Sequence, residues 1–274
     1  MKTNKLKKYL AFTKGGILNG FAYKFSAIGW LIGDAISLLI LFYLWSAIYT
    51  SSPSELINGM TFSEMLTYLI FARVTTTLVF STQSFWIIGE DIYDGNIAIN
   101  LIRPLNYRYR LLASSFGNFL STSILMFIPL MTLSIVLLYF ILGISLPGIG
   151  FFLVFILSCF LSFIIADCLN FLIGEMSVFT NALFGLMLIK DIVFSFFSGS
   201  LLPSSFFPSW LNSIMRFLPF QSLVEKPIMI LMGRLDTIEM IEAVVVQLLW
   251  LVVLNLLCTV TFNRIKKHVV SVGG

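Results

Sequence analysis

Five charged side chains lie within long apolar runs of the sequence: Asp34, Arg73, Asp167, Lys190 and Asp191. At the centre of a membrane helix each would cost roughly 2.5–3.5 kcal/mol, so each is expected to face the protein interior or a water-filled cavity. They are suited to ion pairs between helices, to a polar path for a transported molecule, or to a proton relay. Arg73 and Asp191 lie near mid-depth, which allows an ion pair between them. Asp34 and Asp167 lie toward the cytoplasmic half, where they would line an inward-facing vestibule.

Residues 89–110, here called the inner loop, combine charge with exposed apolar character. Acidic residues lead, an apolar patch follows, and a basic aromatic run ends the loop. In order these are Glu90, Asp91 and Asp94, then Ile97, Ile99, Leu101 and Ile102, then Arg103-Pro104 and Tyr107 to Arg110. The loop is long enough for a short helix along the cytoplasmic surface, and its apolar residues need a partner. That partner is either a protein or the lipid surface.

Motifs of soluble enzymes are missing from the sequence. There is no G-x-x-x-x-G-K-[ST], no H-E-x-x-H, and a single histidine, His268, so we expect neither ATP hydrolysis nor a metal site in this chain. The net charge is +4, but no basic stretch is interleaved with stacking aromatic residues, which argues against nucleic acid as a partner. Cys159, Cys168 and Cys258 all lie in apolar runs and are expected to be small packing residues.

The composition places the chain in a membrane. Of 274 residues 58% are hydrophobic and only 11% charged, whereas soluble proteins carry about 25% charged residues. A span needs about 20 apolar residues, and six stretches meet that length. They are Ala27 to Tyr49, Ser63 to Ile88, Leu111 to Leu142, Phe151 to Ile173, Val178 to Ser198 and Ile241 to Phe262. Pro129 predicts a kink in the third.

Lysine and arginine set the expected orientation, because short cytoplasmic loops carry the excess of both. Twelve lie before the first span, between the second and third, or after the last. These are Lys2, Lys5, Lys7, Lys8, Lys14, Lys24, Arg103, Arg108, Arg110, Arg264, Lys266 and Lys267. The connection after the fifth span is an exception, because it carries three basic residues, but it carries acidic residues as well. Both termini are therefore predicted to be cytoplasmic.

Two further segments are neither span nor simple loop. Residues 1–26 predict an interfacial helix, with apolar side chains at helical spacing between lysines, that turns into the first span through Gly29 or Gly33. The alternative is a merely basic tail, since three glycines weaken a continuous helix. Residues 199–226, here called the outer segment, are too apolar for a solvated loop and too broken by prolines for a span. Short helices dipping into the outer leaflet are predicted, with a surface-lying aromatic hairpin as the alternative.

These features predict an all-α polytopic membrane protein: an N-terminal elbow helix over residues 1–26 and a six-span domain over 27–274. With its Gly95-Asn96-Ile97-Ala98 and Leu101-Ile102-Arg103-Pro104-Leu105 runs, the chain resembles the permease subunits of ABC-2 type transporters, in particular a bacterial branch. The resemblance covers nearly the whole chain.

That resemblance implies that the inner loop is a coupling helix seated in a cleft of a separate ATP-binding cassette subunit, which carries ATP and Mg²⁺. The coupling residues it implies are Glu90, Asp91, Asp94, Ile97, Ile99, Leu101, Arg103 and Pro104. It also implies a second permease subunit, with a different chain favoured over a second copy of this one, a bacterial plasma-membrane location, and export of an amphiphile such as a peptide, lipid or drug. A non-transporting scaffold or sensor subunit is the alternative, and an ion-driven carrier a weaker one.

Overall fold

The computed structural model describes residues 3–143, 148–180 and 182–272. Lys2, in the basic N-terminal stretch, and Asn181, in the predicted fifth span, lie outside these ranges. Within them the chain is helical, and its only β-type pairing is an isolated bridge between Ile57 and Met60. The α-helices are α1 (Thr3–Ala22), α2 (Lys24–Ser51), α3 (Phe62–Val79), α4 (Ser84–Tyr93), α5 (Asn96–Ile102), α6 (Tyr107–Thr122), α7 (Ile128–Leu142), α8 (Ile149–Glu175), α9 (Leu183–Phe197), α10 (Ser209–Arg216), α11 (Glu225–Leu231) and α12 (Thr237–Val272).

Four helical stretches in the described ranges are long and apolar enough to cross a membrane, and a bent pair brings the number to five. The four are Lys24–Ser51, Tyr107–Phe140, Ile149–Val178 and Thr237–Lys266. They correspond to the predicted first, third, fourth and sixth spans. The prediction of six continuous spans is therefore confirmed in part.

The predicted second span, Ser63 to Ile88, is not one helix. A capping box formed by Thr61 and Glu64 starts α3, but the helix ends at Val79 and α4 begins at Ser84, bent by 42°. Polar groups satisfy the interrupted backbone at the break: the Gln83 amide donates to the Ser115 hydroxyl at 3.1 Å, and the Asn118 side chain donates to the Ser81 carbonyl at 2.8 Å. These bonds come from α6, a distant part of the sequence.

The predicted fifth span, Val178 to Ser198, is also corrected. Helix α9 has 15 residues, about 22 Å at 1.5 Å per residue, which is shorter than the hydrocarbon core of about 30 Å. A 3₁₀ turn over Met176–Val178 ends the preceding helix instead of starting α9. Helix α9 alone is thus too short to span a bilayer.

The long third span contains an irregularity just before its proline. A π-helical turn over Ser123–Phe127 joins α6 to α7, and the Ile128 amide donates to the Ser123 carbonyl. Pro129 lies in the first turn of α7, where it can donate no hydrogen bond to the preceding turn. The irregularity expected at Pro129 therefore takes the form of a widened turn on its N-terminal side.

Helix α1 is continuous through all three of its glycines and packs closely along α6. A Cβ at Gly16 or Gly20 would overlap α6 atoms of Ser114 or Ser121, and one at Gly117 would overlap the Thr13 carbonyl. Small residues at this spacing let two helix backbones approach closely. The glycines thus serve as contact sites and do not interrupt the helix.

The turn into the first span is at Tyr23, the single residue between α1 and α2. The prediction of a turn at Gly29 or Gly33 is wrong, because both lie inside α2 with open space around them. Placement of α1 in the headgroup plane stays a prediction.

Helix α8 is the centre of the bundle, and α3, α4, α11 and α12 pack around it. The largest fully buried side chains include Phe155, Phe163 and Phe171 of α8. In contrast α2 and α9 are peripheral: α2 buries only Asp34 and Trp45 of its described side chains, and α9 buries only Phe194. Both present broad apolar faces outward.

Candidate functional site

The inner loop folds as the end of α4, the short α5 and the start of α6. Gly95 joins the first two helices with φ +73°, a left-handed conformation that glycine adopts without a Cβ clash. Arg103 is extended, as expected for a residue before proline, and Asn106 caps α6 through its side chain. The sequence therefore specifies a seven-residue helix held between two sharp turns, and the predicted short helix is present.

Asp91 fastens this arrangement from inside. Its Oδ2 accepts hydrogen bonds from the Asn100 side chain at 2.8 Å, the Tyr107 hydroxyl at 2.7 Å and Arg110 Nη2 at 3.0 Å. Arg110 also donates to Asn100 Oδ1 at 3.1 Å. One carboxylate thus connects α4, α5 and α6. Asp91 was predicted to be a coupling residue, and in the fold its Oδ2 joins the three helices of the loop.

The two faces of α5 differ sharply. Ile97 is 2% exposed and belongs to the hydrophobic core, and Leu101 packs against that core. Ile99 is 61% exposed and Ile102 84%. Of the three isoleucines and leucines assigned to coupling, Ile97 is buried, Leu101 is partly buried and Ile99 is exposed. Ile102 is the most exposed member of the apolar patch.

The remaining residues assigned to coupling lie on the open side. Glu90, Asp94, Arg103 and Pro104 are all exposed. Tyr93, at the end of α4, is 69% exposed and extends the apolar patch. Charges of both signs therefore surround exposed apolar side chains, as in the core and rim of a protein interface.

Helix α1 braces the inner loop from the side. The Asn106 amide donates to the Tyr9 hydroxyl at 3.0 Å, and the Arg110 guanidinium lies 5.7 Å from the Phe12 ring centre. Helix α1 and the Asp91 hydrogen bonds therefore both hold the inner loop in place. The sequence pattern did not indicate the contact with α1.

A buried ion pair lies beneath the inner loop. Arg108 of α6 pairs with Asp167 of α8, and both side chains are almost completely buried. Asp167 also accepts from the Ser84 hydroxyl at 2.6 Å, at the start of α4. Arg108 donates to Cys168 Sγ at 3.3 Å and lies over the Phe171 ring. The pair therefore joins the bend between α3 and α4 to α6 and α8.

The other intramembrane charges pair differently from the prediction. Arg73 pairs with Asp34, so the predicted Arg73–Asp191 pair is wrong. Lys190 instead bonds its neighbour Asp191 at 2.9 Å and Asn170 at 3.2 Å. The partners therefore depend on which helices pack together, and depth in the membrane alone does not predict them.

The expected vestibule lining is wrong as well. Asp34 is 5% exposed and Asp167 fully buried, each against an arginine. Arg73 keeps 41% of its side chain exposed and Asp191 keeps 55%. The outward-facing charges of this set are thus the two that the prediction had paired.

The outer segment is held inward by polar groups. The Tyr68 hydroxyl donates to the Gly199 carbonyl at 2.6 Å, and Glu225 accepts from the Ser204 amide at 3.1 Å and its hydroxyl at 2.5 Å. Burial raises the pKa of the Glu225 carboxyl, while its Ser204 bonds oppose the rise. The short helices predicted around the prolines are present, as a 3₁₀ turn over Ser204–Phe206 and as α10 and α11.

Gln247 of α12 completes this attachment. Its Nε2 donates to the Ser222 carbonyl at 2.8 Å and to the Ser158 and Ser162 hydroxyls at 2.9 and 3.0 Å. Sequence reasoning missed Gln247 and the role of Arg108. The available signal was a polar side chain within or beside a long apolar run, where it must find partners inside the protein.

All three cysteines are buried and free, in agreement with their expected packing role. Cys258 lies against the Cys168 carbonyl at 3.5 Å.

A family profile described as ABC-2 family transporter protein matches residues 35–273. No curated protein matches the chain.

Proposed function

Because this chain belongs to the ABC-2 transporter family, we propose that it is the membrane-spanning permease subunit of an ATP-driven exporter in the bacterial plasma membrane. A separate ATP-binding cassette protein carries ATP and Mg²⁺ and drives the permease through α5. The chain itself has no catalytic role in this proposal. The observation that carries it is the division of α5 into a buried face around Ile97 and an exposed apolar face around Ile99 and Ile102.

The surroundings of α5 suit the transmission of motion. Exposed isoleucines gain from burial in a cleft of the ATPase, at roughly 1.5–3 kcal/mol for a fully buried side chain. Asp94 and Arg103 add charges of opposite sign at the rim, which favour one docking orientation. The Asp91 bonds keep α5 from moving independently of α4 and α6, so a push on α5 acts on the bundle.

A second permease subunit accounts for two exposed charges. Arg73 and Asp191 lie on apolar helices yet expose much of their side chains, and contact with lipid would cost roughly 2.5–3.5 kcal/mol each at mid-depth. A partner permease, or an aqueous path shared with it, would cover both. The family resemblance favours a different subunit over a second copy, and an amphiphile as substrate.

Six crossings with both termini inside remain our proposal for the topology. The bent pair α3 and α4 supplies the second crossing. Helix α9 supplies the fifth together with the residues after it, which fold against α3 and α11 through the Tyr68 and Glu225 bonds. Arg234 bonds Glu64 at 2.5 Å and the Gly59 carbonyl at 3.1 Å, which keeps the end of this excursion beside the start of α3.

An ion-driven carrier is less well supported. A proton relay needs carboxylates or histidines that exchange protons along a path. Asp34 and Asp167 are each paired with an arginine, on different helices, and do not adjoin one another as members of such a path would. The scaffold alternative makes the same docking prediction as the permease but no transport.

The coupling assignment is tested by purifying the chain in mild detergent from its native host and identifying by mass spectrometry the ATPase that remains bound. Ile102→Asp should abolish co-purification of the ATPase and leave the stability of the permease unchanged. Leu56→Asp is the matched control, because Leu56 is also an exposed apolar residue but lies in the α2–α3 connection. Retention of the ATPase by the Ile102 variant would remove the coupling assignment. Transport by the wild-type complex in vesicles separates permease from scaffold.

The topology is tested by labelling single cysteines from outside the cell. Ser205→Cys should react and Asn96→Cys should not, since both positions are exposed in the fold but lie on opposite sides of the proposed membrane. The three native cysteines are buried, which keeps the background low. The reverse pattern would overturn the topology.

A further inference from the structure

Three helix interruptions meet at one pocket. The pocket has a volume of about 250 Å³. It is lined by Tyr23, at the break between α1 and α2; by Gln83, at the bend between α3 and α4; and by Met126, in the π-helical turn. Helix interruptions in membrane proteins are tolerated where they line a cavity, and π-helical turns are frequent at functional sites.

The pocket lies at the level of the inner lipid headgroups. Trp30, another lining residue, is about 20 residues or ~30 Å along α2 from its outer end, which is the thickness of the hydrocarbon core. Gln83 is at a similar distance from the start of α3. Tyr23 and Trp30 are 66% and 69% exposed, and both residue types are enriched at this boundary.

The chemistry of the lining is polar and uncharged. Its polar side chains are amides and hydroxyls, with no acidic or basic residue among those lining it; besides Gln83 they are Asn19, Asn118, Ser26, Ser121 and Thr122. Amides and hydroxyls both donate and accept hydrogen bonds, which matches the hydroxyls of a sugar or other polyol. A phosphate or ammonium group would find no opposite charge there. Lys24 is close in sequence, but it lies over the Phe25 ring and is not a lining residue.

The Gln83 side chain is available for a ligand. Its backbone amide bonds Ser115, whereas its side-chain amide makes no hydrogen bond with the described residues. The volume is just below the range of about 300–1,000 Å³ for whole small-molecule sites, which suits a single headgroup with its tail outside.

We propose that this pocket binds the uncharged, hydroxyl-rich headgroup of a membrane lipid, a glycolipid, from the inner leaflet. The aromatic rings of Tyr23 and Trp30 stack on the sugar, and Gln83 bonds its hydroxyls. The site belongs to this chain alone and needs neither ATP nor the ATPase, so it stands or falls separately from the transport function.

The test uses the full chain in lipid nanodiscs with trace amounts of three photoreactive lipids. These are a diglucosyl diacylglycerol, a phosphatidylethanolamine and a phosphatidylglycerol, each with a diazirine next to the headgroup. After illumination, mass spectrometry should find the glycolipid on peptides containing residues 19–30 and 83, at least about fivefold above the other two, the effect of roughly one net hydrogen bond. Equal or stronger labelling by either phospholipid overturns the proposal, as does glycolipid labelling spread over other surfaces.

Two variants separate the pocket from general lipid contact. Gln83→Met keeps the length of the side chain but removes its amide, and Trp30→Leu removes the exposed ring. Each should lower glycolipid labelling about fivefold, again the effect of one lost contact. Trp210→Leu is the matched control, because Trp210 is 65% exposed on α10, outside the pocket, and its loss should leave labelling unchanged. Wild-type labelling in both pocket variants would overturn the assignment.

Discussion

The inner loop and the outer segment both connect long helices through short helices with prolines and apolar residues. They differ in how the rest of the chain holds them. The outer segment is attached by its own chain: Glu225, Tyr68 and Gln247 bond its backbone, and α11 is largely buried. The inner loop is fixed only along one side and leaves Ile102 84% exposed. The outer segment is therefore held within its own chain, whereas the exposed apolar residues of the inner loop need a partner to cover them.

Loss of the buried Arg108–Asp167 ion pair beneath the inner loop should lower the stability of the protein most. Asp167→Ala leaves Arg108 buried without its carboxylate, which typically costs about 3–5 kcal/mol. We expect a correspondingly large loss in the free energy of unfolding, measured by reversible unfolding in mixed micelles. The double variant Asp167→Ala/Arg108→Leu should recover part of this loss, because no charge then stays unpaired. If the single and double variants are equally unstable, the ion pair is not the cause.

The attachment of the outer segment should be the next most sensitive. Gln247→Met keeps the side-chain volume but removes the amide that donates to the Ser158 and Ser162 hydroxyls, and it leaves the Ser222 carbonyl with only its bond from Ser162, at a cost of about 1–3 kcal/mol. Residues 199–226 should become accessible to protease from outside. Leu248→Met is the control, since Leu248 is half-exposed on the same helix. A fully stable, protease-resistant Gln247 variant would contradict the attachment.

A pair of neighbours in the inner loop sharpens the contrast further. Asp91→Asn removes the charge that binds Tyr107 and Arg110, so amide hydrogen exchange over residues 96–102 should accelerate about tenfold, close to one net hydrogen bond. Glu90→Gln is the matched change at an exposed carboxylate and should leave the exchange unchanged. Equal behaviour of the two variants would mean that Asp91 does not brace the loop.

The smallest effect is expected at the outer surface. Arg234→Gln breaks a partly exposed ion pair with Glu64, and such pairs contribute about 0.2–1 kcal/mol. The midpoint of unfolding should shift only slightly, and less still at high salt, where exposed charges are screened. A loss as large as that of Gln247→Met would show that this ion pair contributes as much to stability as the buried amide, against the expected order.

Some features of the fold follow from local sequence. Four of the six predicted spans, the short helix of the inner loop and the short helices of the outer segment agree with the structure, because composition, glycines and prolines act locally. The break between α3 and α4 was not predicted, although four polar residues, Ser81 to Ser84, lie at it. Its stability depends on the hydroxyl of Ser115 and the amide of Asn118, more than 30 residues away.

The candidate site was predictable only in outline. The loop was found, but Ile97 and Ile99 are indistinguishable in sequence and differ only in which face of α5 each occupies. The glycines of α1 gave a similar ambiguity: they weaken an isolated helix, yet in the fold Gly16 and Gly20 allow close contact with α6. Packing reversed the sign of a local preference.

The sequence by itself determined that this is a membrane protein and that its inner loop and outer segment consist of short helices, because those properties depend on hydrophobicity and on glycine and proline at each position. Only the tertiary structure decided which charges pair: Arg73 pairs with Asp34 and not with Asp191. It also decided which polar groups meet at the three helix interruptions. Such pairings depend on the rotation of each helix about its axis and on contacts between distant residues, which no local pattern fixes.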